Sequence, residues 1–182
     1  MRIPALVAIL LALLVPLAGC SRRLHELNVR EFVDKADDAA RKRFAPEICG
    51  LRGKDFTLHL KFHASESSSA PTEVEMNRKL FCKQAGAFSR VRQYQLERKS
   101  IEIDLASDLR SARVKSVYVE TLPYYEPDTM PATPDDFREF QVVETEDDSV
   151  VGFEDGDLVF LSSDSESHQT LIPRNSVNIP YQ

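Results

Sequence analysis

The 182-residue chain lacks the short motifs that carry most enzyme chemistry. No His-Glu-x-x-His zinc helix, no Gly-x-Ser-x-Gly nucleophile turn and no glycine-rich phosphate loop is present, and the six glycines are scattered. Cysteines number three, without a Cys-x-x-Cys pair, which removes the common redox motif. Basic residues are outnumbered, 23 against 29 acidic, for a formal charge of −6, and this balance argues against nucleic acid as a partner. The longest apolar run, Ile3 to Leu17, contains Pro4 and Pro16 and falls short of the ~20 residues that a membrane-spanning helix needs. There is no internal repeat.

What is present is concentrated at the start. Met1 and Arg2 precede the apolar run, which ends in Leu17-Ala18-Gly19-Cys20. A short positive region, an apolar stretch and small residues at a cut site are the parts of an export signal. The last four residues resemble the lipobox of bacterial lipoproteins, cut just before the cysteine. The resemblance implies that Cys20 carries diacylglycerol on sulfur and a third acyl chain, such as palmitate, on its amino group. Two or more chains anchor a protein stably. The resemblance also implies the inner leaflet of the outer membrane, because Ser21, rather than an aspartate, follows the cysteine. Removal of residues 1–19 takes away one charge, Arg2, so the mature chain is more acidic still.

With Cys20 acylated, Cys49 and Cys82 remain, and in an oxidising compartment they read as one disulfide. Neither has the flanking His or Cys of a metal site. The mature length suits one globular domain with a sizeable core. The expected organisation is a tether over 20–27, a domain over 28–172 and a loose tail over 173–182.

The pattern predicts a first helix opened by a capping box of Asn28 and Glu31, with Phe32, Val33, Ala36, Ala39, Ala40 and Phe44 on one stripe, ended by Pro46 and Gly50. Phe56, Leu58, Leu60 and Phe62 alternate as a strand over 54–62. Ser65 to Pro71 reads as a loop. Thr72 and Glu75 form a second capping box, opening a helix through Leu80, Phe81 and Gln84. Strands follow at 92–105, with a bulge near Lys99 and Ser100, and at 112–119, where the apolar parity slips between Val114 and Val117. Pro123 to Pro134 is an irregular excursion. Three short strands (140–144, 149–153, 157–161) come next, the last two joined by a tight turn at Glu154-Asp155-Gly156. Ser162 to Ser167 reads as polar and mobile, with an edge strand at 170–172. The fold class is α+β: two amphipathic helices on a curved antiparallel sheet of five to six strands. This order resembles the nuclear transport factor 2-like (SnoaL-like) cone folds, a likeness of element order alone.

Candidate chemistry is sparse. His59 and His63 lie four residues apart on a strand, ~13 Å in extended chain, too far to share a metal. His25 and His168 lie near the two ends of the mature chain. The acidic groups at 144–148, 154–157 and 164–166 lack the converging oxygens of a Ca²⁺ loop and read as charged hairpin turns. No metal, cofactor or catalytic residue is expected. Tyr124 and Tyr125 are candidate partner-contact residues, or they fold back over the sheet end. The expected function is a lipid-anchored, non-enzymatic binding or assembly accessory, with an unknown envelope protein or small apolar ligand as partner. The alternatives are a small hydrolase or isomerase acting in a cone-shaped cavity, and a structural envelope component. Glu102 and Asp104 oppose the parity of Ile101 and Ile103, so they should face away from any cavity.

Overall fold

A computed structural model describes residues 23–65, 70–125 and 137–176 of the chain. The signal region with Cys20, the middle of the serine-rich loop at 66–69, most of the proline-rich excursion and the last residues of the tail lie outside the described residues.

Helix α1 (Glu26–Arg41) presents Val29, Phe32, Val33 and Ala39 to the core. It begins two residues before the expected cap. Asn28 is its third residue, and its side chain reaches back to accept the backbone N–H of His25 at 2.9 Å. Asn28 thus serves the start of the helix from inside the first turn. Leu24, within the expected tether, is fully buried and donates its N–H to Leu109 O at 2.7 Å. Arg43, at φ 52°, breaks the helix, and Phe44 is left exposed.

Pro46 does not simply end α1. It sits in the first turn of a second short helix, α2 (Ala45–Gly50), where a missing N–H has no consequence. The helix expected from Thr72 is divided in two. Thr72–Asn77 is strand β2, and helix α3 (Arg78–Phe88) follows with Asn77 as its cap, accepting Leu80 N at 3.0 Å. Pairing with the neighbouring strand outweighs the local capping signal of Thr72 and Glu75, since Val74 and Met76 alternate as a half-buried edge. Cys49 and Cys82 are disulfide-bonded and fasten α2 to α3. Among the described residues three α-helices therefore pack on the sheet, not two.

The remaining strands are β1 (Arg52–His63), β3 (Gln95–Leu105), β4 (Ser111–Tyr124), β5 (Glu139–Glu154) and β6 (Asp157–Pro173). The order across the sheet is β2-β1-β6-β5-β4-β3. The sheet is mixed: β1 runs parallel to β6, and every other neighbour is antiparallel. The parallel pair arises because the chain leaves β1 at one end and returns to it only through β6. The bulge falls between Arg98 and Ser100, as the slipped alternation predicts, and brings Leu96, Ile101 and Ile103 to the same core side.

Strand β4 keeps one register with β5 from Ser111 to Tyr124, so the slip expected after Val114 does not occur. Its inward row continues as Ser116, Tyr118 and Glu120, while Val117 and Val119 have the opposite parity. The strands expected at 140–144 and 149–153 are one strand. The serine-rich stretch at 162–167 is likewise interior to β6, paired along its length with β5 and β1. The β5–β6 turn has Asp155 at φ 51° and Gly156 at φ 90°, both left-handed, as a two-residue hairpin requires.

The main core lies between the helices and the sheet, around Val29, Val33, Phe56, Val114, Val151 and Phe160. Phe137 and Phe140 form a smaller cluster with Tyr125 and Ile172.

Candidate functional site

The inward face of the sheet is apolar at one end and hydroxylic at the other. Between it and the helices is a cavity of about 340 Å³, within the usual range for small-molecule sites. The apolar wall includes Val33, Phe56, Leu58, Phe81 and Phe88. The polar wall comes from alternate residues of three adjacent strands: Ser116, Tyr118 and Glu120 on β4, Thr145, Asp147 and Ser149 on β5, and Ser163, Ser165 and Ser167 on β6. The period-two alternation that gives strands an apolar face here gives them a hydroxyl face.

Asp147 is the hub of this wall. Its carboxylate accepts hydrogen bonds from the hydroxyls of Ser149 (2.5 Å), Ser163 (2.5 Å) and Ser165 (2.6 Å). Thr145 and Ser167 bond to one another at 2.8 Å. Tyr94, almost wholly buried, donates its O–H to Glu120 at 2.5 Å. Burial raises the Glu120 carboxyl above the usual range, a push that the Tyr94 hydrogen bond reduces. Burial likewise raises the Tyr118 phenol well above its ordinary value, with Asp147 and Glu120 adding to the effect.

Two arginines face the cavity. Arg98 is paired: its Nε donates to Asp37 at 2.8 Å, and its Nη2 bonds the other carboxylate oxygen. Burial pulls its pKa down, but the bond to Asp37 and the carboxylate charge outweigh that, and the net shift is upward. Arg52 is different. Its guanidinium carbon stands 4.4 Å from the ring centre of Phe160, 4.7 Å from Phe81 and 5.2 Å from Phe56. Its Nε and Nη1 are buried and have no hydrogen-bond acceptor among the described residues. Desolvation lowers its pKa to about 10, with Asp147 and Tyr118 opposing the shift, so it is charged at neutral pH. The three rings offset part of the burial cost through cation–π attraction. A ring face accepts an N–H only weakly compared with an oxygen, and a buried donor left without an oxygen acceptor is costly.

The outer face of the same sheet carries the histidines. The parallel register places His63 directly opposite His168, and their rings stack at 4.3 Å. Glu166 joins them, its Oε1 2.7 Å from His63 Nε2 and 3.7 Å from His168 Nε2. The His63 bond holds the Glu166 carboxyl below the usual range. His63 and His168 are therefore neighbours, although they seemed separate in the sequence. His59 is exposed opposite Asp164, and His25 caps α1. Of the three acidic stretches expected to be turns, only 154–157 is one. Lys54 binds there, its Nζ 2.6 Å from Asp155 and its N–H donating to Glu154. The other two lie inside β5 and β6.

Tyr124 is the last residue of β4, opposite Glu139. Tyr125 packs edge-on to Phe137, 6.2 Å between centres. Glu102 and Asp104 are exposed, facing away from the cavity. Sequence reasoning did not find Arg52, Tyr118, Glu120 or Asp147. The signal for them was a strand parity that stays regular once polar residues are allowed to face inward.

A helix trio over a mixed six-stranded sheet, with a half-polar cavity between them, is the arrangement of the nuclear transport factor 2-like cone fold. Solved structures of that fold are similar to this chain. A nuclear transport factor 2-like protein from Cytophaga hutchinsonii aligns at a TM-score of 0.55 and 10% identity, over 79% of this chain and 99% of the other. The β subunit of benzoate 1,2-dioxygenase from Burkholderia mallei aligns at 0.57 and 8%, over 80% and 92%. A candidate scytalone dehydratase from Novosphingobium aromaticivorans aligns at 0.52 and 14%, over 84% and 87%. No family model matches the sequence, and no curated protein matches it. At these identities the likeness is one of fold.

Proposed function

We propose that this chain is a lipid-anchored binding protein of the cell envelope whose cone cavity holds a small, largely apolar organic acid. The observation that carries the reading is Arg52: a buried cation at the cavity wall whose Nε and Nη1 lack an acceptor. A carboxylate presents two oxygens in the geometry that a guanidinium matches. The apolar wall would take the hydrocarbon body, and the serine and tyrosine hydroxyls would orient it. Glu120 sets a limit on where negative charge can sit, so the acid group belongs at Arg52, where Asp147 is the competing carboxylate.

The anchor half of the proposal rests on the lipobox. Only three residues lie between Cys20 and buried Leu24, a reach of ~14 Å at full extension. An acylated Cys20 would thus hold the domain against its membrane, taken here as the outer membrane's inner leaflet. Metabolic labelling with palmitate tests it: label on the wild type, none on Cys20→Ser, and loss of the protein from the membrane fraction. Label on the serine variant contradicts the anchor.

A second reading is favoured by one observation, the protonatable Glu120 bonded to Tyr94 inside the cavity. A buried carboxyl whose pKa is raised is a candidate for general acid–base catalysis, and the reaction would be an isomerisation or a hydrolysis. Glu120→Gln separates the two readings. Retained binding with no turnover in the variant, against turnover in the wild type, supports the enzyme; unchanged ligand in both supports the binder.

A further inference from the structure

The His63, Glu166 and His168 cluster lies outside the cavity and has no part in the proposed binding. β1 and β6 run side by side in parallel, with His63 paired to His168. The alternate residues Lys61, His63, Glu166 and His168 share the outer face, because Ser165 and Ser167 between them face inward. One nitrogen or oxygen from each of His63, Glu166 and His168 lies within 4.8 Å of the other two. Two of these separations, 2.7 Å and 3.7 Å, bracket the roughly 3.3 Å between ligand atoms around a tetrahedral zinc with bonds near 2.0 Å. Both Nε2 atoms approach the same carboxylate oxygen, so convergence on an ion needs the stacked rings to splay and the His63–Glu166 hydrogen bond to open.

The surroundings favour a cation. Glu73, Glu75, Glu146, Asp148 and Asp164 line the adjoining groove, against Lys61 and Lys115. Lys61 Nζ, 3.6 Å from Glu166, is the nearest competing charge, and it lies on an exposed, flexible stem.

We propose that His63, Glu166 and His168 form a surface site for one divalent transition-metal ion of the zinc class. Two imidazoles and one carboxylate are a ligand set suited to Zn²⁺, leaving the fourth position to water. The site needs β1 and β6 paired, so the ion bridges strands that are distant in sequence and stabilises the fold when bound.

The test is titration of the full chain in detergent with Zn²⁺, using Cys20→Ser as the parent so that no thiol competes. The expected result is one ion per chain and a rise in Tm with Zn²⁺. His168→Ala and Glu166→Gln should each weaken binding by more than about tenfold. His59→Ala, ~13 Å along the strand, should leave it unchanged. Co²⁺ should give visible bands that vanish in His63→Ala, reporting imidazole ligation even if that variant is less stable. Absence of a Zn²⁺-dependent Tm shift, or equal affinity in parent and His168→Ala, would overturn the proposal.

Discussion

Arg98 Nε donates to Asp37 Oδ2 at 2.8 Å, tying the middle of α1 to the residue just before the bulge in β3. Asp37 is 4% exposed. Without the bulge the inward row of β3 would not carry both Arg98 and Ile101, so the irregularity aims the arginine at the helix.

Removing one member of that pair leaves a buried charge unpaired. Asp37→Ala should destabilise the domain by about 3–5 kcal/mol. Joint replacement, Asp37→Leu with Arg98→Met, should recover most of the loss. Urea unfolding midpoints for the single and double variants check both outcomes, and a loss in the double variant as large as the two single losses added together would mean that the pair is not acting as a unit.

The Cys49–Cys82 bond joins residues 33 apart in sequence and fastens two short helices to one another. The chain-entropy account gives roughly 3–4 kcal/mol for a loop of that length. Cys49→Ala with Cys82→Ala should lower stability by about that amount while leaving the strand content, read by circular dichroism, in place.

Glu120 supplies a pH prediction. Its folded pKa lies above the unfolded value, so the native state holds the proton more firmly. Stability from this group is therefore fully present below the unfolded pKa and is lost as pH rises through the folded one. Glu120→Gln keeps an acceptor for Tyr94 and removes the titration. The stability of the variant relative to wild type should climb as pH rises from the unfolded carboxyl pKa through the higher folded one, and then level off. A difference that is flat with pH would place the Glu120 carboxyl at its ordinary value.

The legible part of this fold was the part built on apolar alternation. Phe56, Leu58 and Leu60 define β1, and the slip near Lys99 marks a true bulge. The legibility ended where the inward face turned polar. Ser163, Ser165 and Ser167 read as a loop because serine is a turn former, yet each faces the cavity, two of them bonded to Asp147 and the third to Thr145. Val117 and Val119 read as core because they are apolar, yet the inward row is Ser116, Tyr118 and Glu120. Thr72 and Glu75 look like a helix start, yet β1 offered them a partner strand. The histidine cluster needed knowledge of the parallel β1–β6 pair, with a sequence separation of 103 between His63 and Glu166. Periodicity carries no information of that kind.

The central claim is that Arg52 is an anion anchor in a ligand cavity. It is tested most directly by isothermal titration with a panel of small aromatic and short-chain aliphatic carboxylates, each beside its neutral amide. The account predicts that carboxylates bind and their amides do not, and that Arg52→Met abolishes binding without lowering the urea midpoint, since an apolar residue suits its three phenylalanine neighbours. Binding should persist to about pH 9 and fall as the guanidinium deprotonates near 10. Equal affinity for acid and amide, no binding by any acid in the panel, or full binding by Arg52→Met would contradict it.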